Sequence, residues 1–265
     1  MGRFYQNLKI RFGILLPTLF VYFAAIFNIS FAQGSENLNE NLNQKIDQIV
    51  DKIYYPKSQG KLEYDVYSVE YKINFGTYSY SWNVDENSYQ VNTSLVARGI
   101  VGLMVDYHYE EMAIGEVISK DDLAWKEYRY SQIFEENKKP AIHKYAKITP
   151  NGESIKLHNY QKKVGYQPFD IPSLILHLMR KPQEIGSSYQ FDVLNSSKAV
   201  EVEMKLEGIE KIKIPLGEYE TWYWEGQNDT FVLKIWYDKK NLMPVQFYFI
   251  SNKGNAFSIK AKVIL

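Results

Sequence analysis

The sequence of 265 residues contains no cysteine. No disulfide can staple the fold, and no cysteine is available to carry a lipid anchor at a cleavage site. Basic and acidic residues are equal in number, 31 of each, so the chain has no excess positive charge for a nucleic-acid backbone. A G-x-S-x-G nucleophile motif and a glycine-rich phosphate loop are also missing. Stability must therefore come from an apolar core, which a chain of this length can bury.

The N-terminal segment predicts export. Residues 1–11 are basic, residues 12–27 are apolar throughout, and Ser30 and Ala32 place small residues before a cut after Ala32. This order is typical of a secretory signal peptide over residues 1–32. An uncleaved anchor is the alternative, because residues 12–32 are long enough to span a bilayer. In either case we expect a protein of the periplasm or one that is otherwise exported, with membrane contact only through this segment.

Residues 33–60 predict an amphipathic helix and a linker, followed by a single β-rich domain over residues 61–265. The helix carries an apolar stripe at helical spacing. The stripe either docks on the domain or binds an envelope protein partner, and its residues are Leu38, Leu42, Ile46, Ile49 and Ile53.

From residue 62 onward the hydrophobic period changes to two, as expected for antiparallel strands. Asn151-Gly152 lies between two alternating segments and predicts a hairpin. No strand–helix–strand alternation is visible. The predicted strands cover residues 62–75, 77–83, 88–97, 103–118, 123–134, 142–148, 153–160, 188–194, 199–207, 209–214, 219–225, 230–237, 244–250 and 256–264.

One short apolar helix interrupts this pattern at residues 169–182, FDIPSLILHLMRKP. Asp170 is suited to the N-cap, Pro172 fits the first turn, and Pro182 predicts an end near Arg180. Apolar residues cover most of its circumference, which is typical of a helix buried on most sides. We therefore predict a mainly β fold: a strongly curved antiparallel sheet, half-barrel or barrel-like, with this helix buried in its concavity. A closed barrel or a two-sheet sandwich is the alternative.

Three segments of the domain resemble the bacterial exported domain-of-unknown-function family 3108. They are FDIPSLI (169–175), PLGEYETW (215–222) and LKIWYDKKNLMPVQ (233–246), and the glycine-containing pair YKINFGTYSYSW (71–82) precedes them. The resemblance covers about residues 62–265 and implies a bacterial envelope protein, with a half-barrel like those of periplasmic lipoprotein carriers. It brings no catalytic or binding residue. Gly217 is expected at a positive φ and Pro244 at the start of a strand.

Two constellations could carry chemistry, and both are weak. Ser173 and His177 stand four residues apart on the central helix with Asp170 one turn earlier, but this spacing rarely aligns an attack. His108 and Glu110 share one face of a strand and Glu111 takes the other, which gives two metal ligands on a face where a site needs more. The sequence therefore indicates no enzyme, no metal and no cofactor.

Binding is the remaining hypothesis. A hollow in the curved sheet could hold a lipid or another apolar ligand, and the alternative is an envelope scaffold or interaction module whose core is fully packed. A ligand of useful size needs roughly 300 Å³ of open space. The residues expected to line the hollow are Leu174, Ile175, Leu178, Tyr78, Tyr80, Trp222, Trp224 and Trp236.

Overall fold

The computed structural model describes residues 57–104, 107–134, 139–149, 152–157, 160–195, 198–251 and 255–265. Within them the chain is mainly β, as predicted, and has fifteen strands and two helices. The signal segment and the amphipathic stripe of residues 38–53 lie outside the described residues, so both remain predictions. Neither described helix has the length and apolar character needed to cross a bilayer.

The strands follow one another along the chain with few interruptions. Their bounds are β1 (Gln59–Ser68), β2 (Asn74–Val84), β3 (Ser88–Ala97), β4 (Tyr107–Ser119), β5 (Asp122–Phe134), β6 (Lys139–Ile148), β7 (Ser154–Leu157), β8 (Tyr160–Lys163), β9 (Gln167–Asp170), β10 (Ser188–Asn195), β11 (Lys198–Ile214), β12 (Gly217–Gln227), β13 (Phe231–Asp238), β14 (Pro244–Ser251) and β15 (Ala256–Ile264). Helix α1 spans Gly99–Met104 and helix α2 spans Ile171–Arg180.

All fifteen strands form one sheet in the order β8-β7-β6-β5-β4-β3-β2-β1-β15-β14-β13-β12-β11-β10-β9. Neighbours pair antiparallel, apart from β9 and β10, which run parallel on either side of α2 in the sequence. Among the described strands the order starts at β8 and stops at β9. The sheet is therefore not closed into a barrel.

Side-chain contacts bridge the gap between the two edge strands. Asp192 on β10 is buried, and its carboxylate accepts a hydrogen bond from Lys162 Nζ on β8 at 2.6 Å. The same carboxylate accepts from the backbone N–H groups of Gly165 and Tyr166 at 2.7 and 2.8 Å. Gly165 and Tyr166 belong to the turn between β8 and β9, so the buried Asp192 carboxylate connects the two edges of the sheet.

Helix α2 is enclosed by strands that are far apart in the sheet order. Tyr80 of β2 donates to the Pro172 carbonyl at 3.0 Å, and Tyr237 of β13 donates to the Ile175 carbonyl at 2.8 Å. Trp125 of β5 donates to the N-terminal cap of the helix at 2.6 Å. Residues 172–180 of α2 are all buried. The sheet must curve around α2 for these contacts to form together, which confirms the predicted architecture.

The ends of α2 follow the local signals in the sequence. Asp170 has an extended backbone, and its side chain accepts from Ser173 N at 2.8 Å, as an N-cap residue does. Lys181 is also extended, at φ −70° and ψ 148°, because the proline that follows it disfavours a helical conformation. The predicted start and end of the helix are confirmed.

The first predicted strand, 62–75, is wrong in its extent. The chain leaves the sheet after Ser68, turns through Lys72 at φ 54°, and re-enters at Asn74. In β1 the even-numbered residues such as Tyr64 and Val66 are buried, whereas Tyr71 is 68% exposed in the turn. Apolar residues occupy both parities of this stretch, so alternation could not select the face.

Other local predictions divide between confirmation and correction. The hairpin at Gly152 (φ 74°) joins β6 to β7, Gly217 has φ 144°, and Pro244 begins β14, all as predicted. The two strands expected at 199–207 and 209–214 are one, because β11 continues through an irregularity at Gly208. Helix α1 was not predicted; part of it was assigned to a strand.

Candidate functional site

A partly open cavity of about 300 Å³ lies beside the N-terminal half of α2. Its wall combines the start of the helix with inward-facing positions of β1–β4 and β13–β15. Eleven of the fifteen lining residues are hydrocarbon in character, and the rest are three tyrosines and one acid. The lining residues are Val66, Phe75, Tyr78, Leu95, Tyr107, Tyr109, Glu111, Ile171, Pro172, Ile175, Leu233, Phe247, Phe249, Phe257 and Ile259.

Aromatic side chains from separate strands pack edge to edge in this wall. The Phe75 ring centroid lies 5.7 Å from that of Phe257 and 6.2 Å from that of Tyr107, with steep interplanar angles. Tyr78 meets Phe247 in the same way at 6.4 Å. Such pairs stabilise by about 0.5–1.5 kcal/mol beyond their area burial. Packed rings from strands on both sides of the β1–β15 ladder thus form this part of the wall.

The helix side of the cavity is fixed by hydrogen bonds. The hydroxyls of Tyr80 and Tyr237 hold the carbonyls of Pro172 and Ile175, which both belong to lining residues. At the helix start, Asp170 accepts from Trp125 Nε1 and from the backbone and hydroxyl of Ser173. Burial raises the pKa of the Asp170 carboxyl to about 6, although these donors act in the opposite direction. The helix cannot shift without breaking several buried polar contacts.

Glu111 is the acid of the cavity wall. Its carboxylate accepts from Thr93 Oγ1 and from the Tyr128 hydroxyl, both at 2.9 Å. Burial raises the pKa of Glu111 to about 7, and the two hydrogen bonds hold it below the value that burial alone would give. The side chain is half-buried, so this carboxyl lies between the packed core and the open space. It can serve as an acceptor when ionised or as a donor when protonated.

The eight residues predicted for the hollow are distributed over several environments. Ile175 and Tyr78 line the cavity. Tyr80 lies behind the wall, while Leu174 and Leu178 are fully buried and do not border open space. The part of the hollow around Leu174 and Leu178 is therefore packed as core.

The three tryptophans lie outside the cavity wall. Trp224 is buried and donates to Gln183 Oε1 at 2.9 Å, and Trp222 is half-buried beneath Lys239, whose Nζ lies 5.2 Å from the ring centroid. The Trp236 ring stacks on that of Tyr223, with 5.0 Å between the ring centroids. Strand alternation places Trp236 opposite to the inward residues 231, 233 and 235 of β13.

Sequence reasoning missed most of the wall. The residues on β14 and β15 belonged to predicted strands whose alternation was visible, but nothing indicated which strand they would face. Glu111 was considered only as a metal ligand. The available signal for Glu111 was a carboxylate among otherwise apolar inward positions. It could be recognised only once the inward face of β4 was known.

The Ser173–His177–Asp170 constellation does not assemble into a nucleophile site. The Ser173 hydroxyl donates to Asp170 Oδ2 at 3.0 Å, and His177 Nδ1 accepts from the Leu123 N–H at 3.3 Å. Both Ser173 and His177 are fully buried, and burial holds the pKa of His177 well below its ordinary value. The serine proton is therefore directed to the helix cap rather than to the imidazole.

The second constellation keeps the two-ligand form expected from the sequence. His108 Nε2 lies 3.3 Å from Glu110 Oε1 on the outer face of β4, while Glu111 points to the inner face. Across the described ranges no group of three potential metal ligands comes together.

A larger, open trough of about 720 Å³ runs across β1–β6, and its lining includes Glu111 and Lys144. It is lined mainly by polar side chains such as Ser79, Ser81 and Asn92, which alternate with the buried residues of their strands. Its charged residues include Arg129, which is paired with Glu127 at 2.7 Å. An open surface of small polar groups offers less for recognition than a cavity with an apolar lining.

Comparison with known proteins gives a family and a fold. The profile of DUF3108, described as protein of unknown function, matches residues 63–261 and confirms the resemblance seen in the sequence. No curated protein matches the chain. A crystal structure of a β-barrel-like protein of the family DUF1849 from Brucella abortus aligns with a TM-score of 0.51 at 11% identity, covering 79% of this chain and 98% of that one. This likeness supports the barrel-like fold.

Two further solved structures align less well. One is a DUF1089 family protein from Pseudomonas aeruginosa, with a TM-score of 0.32, 6% identity, and coverage of 68% of this chain and 86% of that chain. The other has a YmcC-like fold and comes from Bacteroides fragilis, with a TM-score of 0.28, 8% identity, and coverage of 80% and 99%. At these TM-scores neither supports a conclusion about this chain.

Proposed function

Because the chain belongs to DUF3108, whose members are described only as proteins of unknown function, its role has to be inferred from the fold and the cavity, and we propose that it is a non-enzymatic binding protein of the cell envelope. Its ligand would be a lipid or another apolar molecule held beside α2. Export is inferred from residues 1–32, whose basic, apolar and small-residue regions are those of a signal peptide.

The cavity of about 300 Å³ is the observation that carries this proposal. Protein interiors normally leave few voids larger than a water molecule, which occupies about 30 Å³ of liquid. The wall is almost entirely apolar, so the transfer of an apolar ligand from water into the cavity is favourable. The size lies at the lower end of ligand sites, which favours one chain or one small ring system.

The test blocks the cavity and leaves the rest of the surface unchanged. Ile259 on β15 lines the cavity, and its neighbour Lys260 points to the opposite face, where its register partner is Asp65. Ile259→Trp fills the space, and Lys260→Trp adds the same bulk outside it. Purified protein is titrated with the fluorescent probe N-phenyl-naphthylamine, decanol is used as a competitor, and thermal unfolding is recorded for each variant.

We expect the wild type and Lys260→Trp to bind the probe and to release it to decanol, and Ile259→Trp to bind at least about tenfold more weakly. Equal binding by a folded Ile259→Trp would contradict the proposal. So would a wild-type protein that binds neither compound and shows no co-purified apolar molecule in native mass spectrometry. These two wild-type measurements decide the question if Ile259→Trp does not fold.

A further inference from the structure

Glu111 stands at the wall of an apolar cavity, and no cationic side chain of the described residues forms a direct ion pair with it. No ion pair joins it to a lysine, arginine or histidine among the described residues; its contacts are the hydroxyls of Thr93 and Tyr128. Each oxygen accepts one hydrogen bond and so keeps a further lone-pair position. Burying a carboxylate without a counter-charge is costly, and a cation that entered the cavity would offset that cost.

The nearest lysine on the same face, Lys144, forms no ion pair with Glu111 and has only a minor lowering effect on its pKa. Cross-strand register places Glu111 opposite Tyr130, and Tyr130 opposite Lys144, so two strand spacings of about 4.8 Å each separate acid and lysine. Lys144 Nζ instead lies over the Tyr130 ring, 5.2 Å from its centroid. The tyrosine lies between the two charges, and no lysine, arginine or histidine is among the residues that line the cavity.

Building on the proposed function, we propose that the cavity takes an amphiphile whose polar end carries a protonated amine, and that the Glu111 carboxylate accepts that amine. The remaining lining gives the chain of the amphiphile an apolar environment. Charge-assisted hydrogen bonds are roughly twice as strong as neutral ones, so the head group would contribute strongly to selection. The raised pKa of Glu111, about 7, is consistent with a carboxyl whose counter-charge is missing, and a bound ammonium group would lower it.

The experiment compares three ligands with one chain and different ends: decylamine, decanol and decanoate. Affinities are measured at pH 8 by displacement of N-phenyl-naphthylamine from the wild type, Glu111→Gln and Glu110→Gln. Glu110 is the matched control, since it precedes Glu111 on β4 but belongs to the outer face with His108. Thermal unfolding verifies that each variant is folded.

We expect the wild type and Glu110→Gln to bind decylamine at least about tenfold more tightly than decanoate, the difference that one charge-assisted contact provides. In Glu111→Gln this ratio should approach one while decanol binds as before. Equal binding of amine and acid by the wild type would overturn the head-group assignment. A ratio unchanged in Glu111→Gln would overturn it as well. Failure of decanol to bind at all would instead overturn the proposed function, so the two inferences fail separately.

A second arm repeats the measurement at pH 5.5, where Glu111 takes up its proton and the amine preference of the wild type should fall. Two other charged groups face this region, Lys144 on β6 and Asp170 at the start of α2, and both stay in the Glu111→Gln variant. Only a pH effect that disappears in Glu111→Gln supports the assignment; an effect that persists there contradicts it. The surrounding tyrosines stay neutral because burial raises their pKa values: Tyr78, Tyr107, Tyr109, Tyr128 and Tyr130.

Discussion

Replacing Glu111 with glutamine should change how the stability of the protein depends on pH. Burial raises the pKa of Glu111 from 4.5 to about 7 in the folded protein. An acid with a higher pKa in the folded state holds its proton more tightly there than in the unfolded chain. Its contribution is therefore greatest below pH 4.5 and is lost as the pH rises through about 7. Above that pH the carboxylate is ionised in both states, and its contribution is constant.

The size of the effect follows from the two pKa values. At about 1.4 kcal/mol per pH unit, a rise from 4.5 to about 7 corresponds to an upper bound of about 3 kcal/mol. The side chain keeps some contact with solvent, which screens the charge, so we expect about 1–2 kcal/mol. Glutamine can still accept from Tyr128 or Thr93 and carries no charge at any of these pH values.

Urea denaturation followed by tryptophan fluorescence at pH 4.5, 5.5, 6.5 and 7.5 measures this effect. The useful quantity is the unfolding free energy of Glu111→Gln minus that of the wild type. Asp170 also titrates in this range, but it is present in both proteins, so its own titration largely cancels in the difference. The difference should rise by about 1–2 kcal/mol between pH 4.5 and pH 7.5. A flat difference would refute the argument, and Glu110→Gln should give a flat one.

Three further changes test the core around the cavity by the same denaturation assay. Leu178→Ala removes a fully buried helix side chain and should cost about 2–5 kcal/mol; a loss below about 1 kcal/mol would mean that the site is loosely packed. Gly226→Ala would force a Cβ to within 2.2 Å of Met204 Sδ and should cost about 1–3 kcal/mol, whereas Gly208→Ala meets nothing within 4 Å and should be close to neutral. Tyr237→Phe removes the hydroxyl bound to α2 and should cost about 1 kcal/mol, so an unchanged denaturation midpoint would show that this hydrogen bond does not stabilise the helix.

The sequence was informative wherever a local signal determined the structure. Asp170, Pro172 and Pro182 punctuate one apolar segment, and those three residues are enough to predict α2 and its ends. Alternation likewise predicted most strands, because a half-buried strand has a period of two. Where apolar residues occupy both parities, as in β1, the same rule cannot select the buried face.

The candidate site could be predicted only in part, since it depends on which strands become neighbours. Ile175 and Tyr78 were found because each belongs to a strong apolar pattern of its own. Phe257 and Phe249 reach the same cavity through the pairing of β1 with β15, and no local pattern encodes that pairing. Trp236 shows the converse: its size suggested a ligand contact, but its parity within β13 sends it to the other face.

The position of the β1–β15 ladder has a consequence for how the protein reaches its native state. Strands β1–β8 and β10–β15 are two runs of sequence neighbours, and each can form by short-range steps. Their junction joins residues such as Asp65 and Lys262, which are 197 positions apart, so it closes a very long loop and carries the largest entropic penalty. The cavity is lined by strands of both runs, so it forms only when β1 pairs with β15. Any molecule bound there would stabilise the paired state over the separated halves.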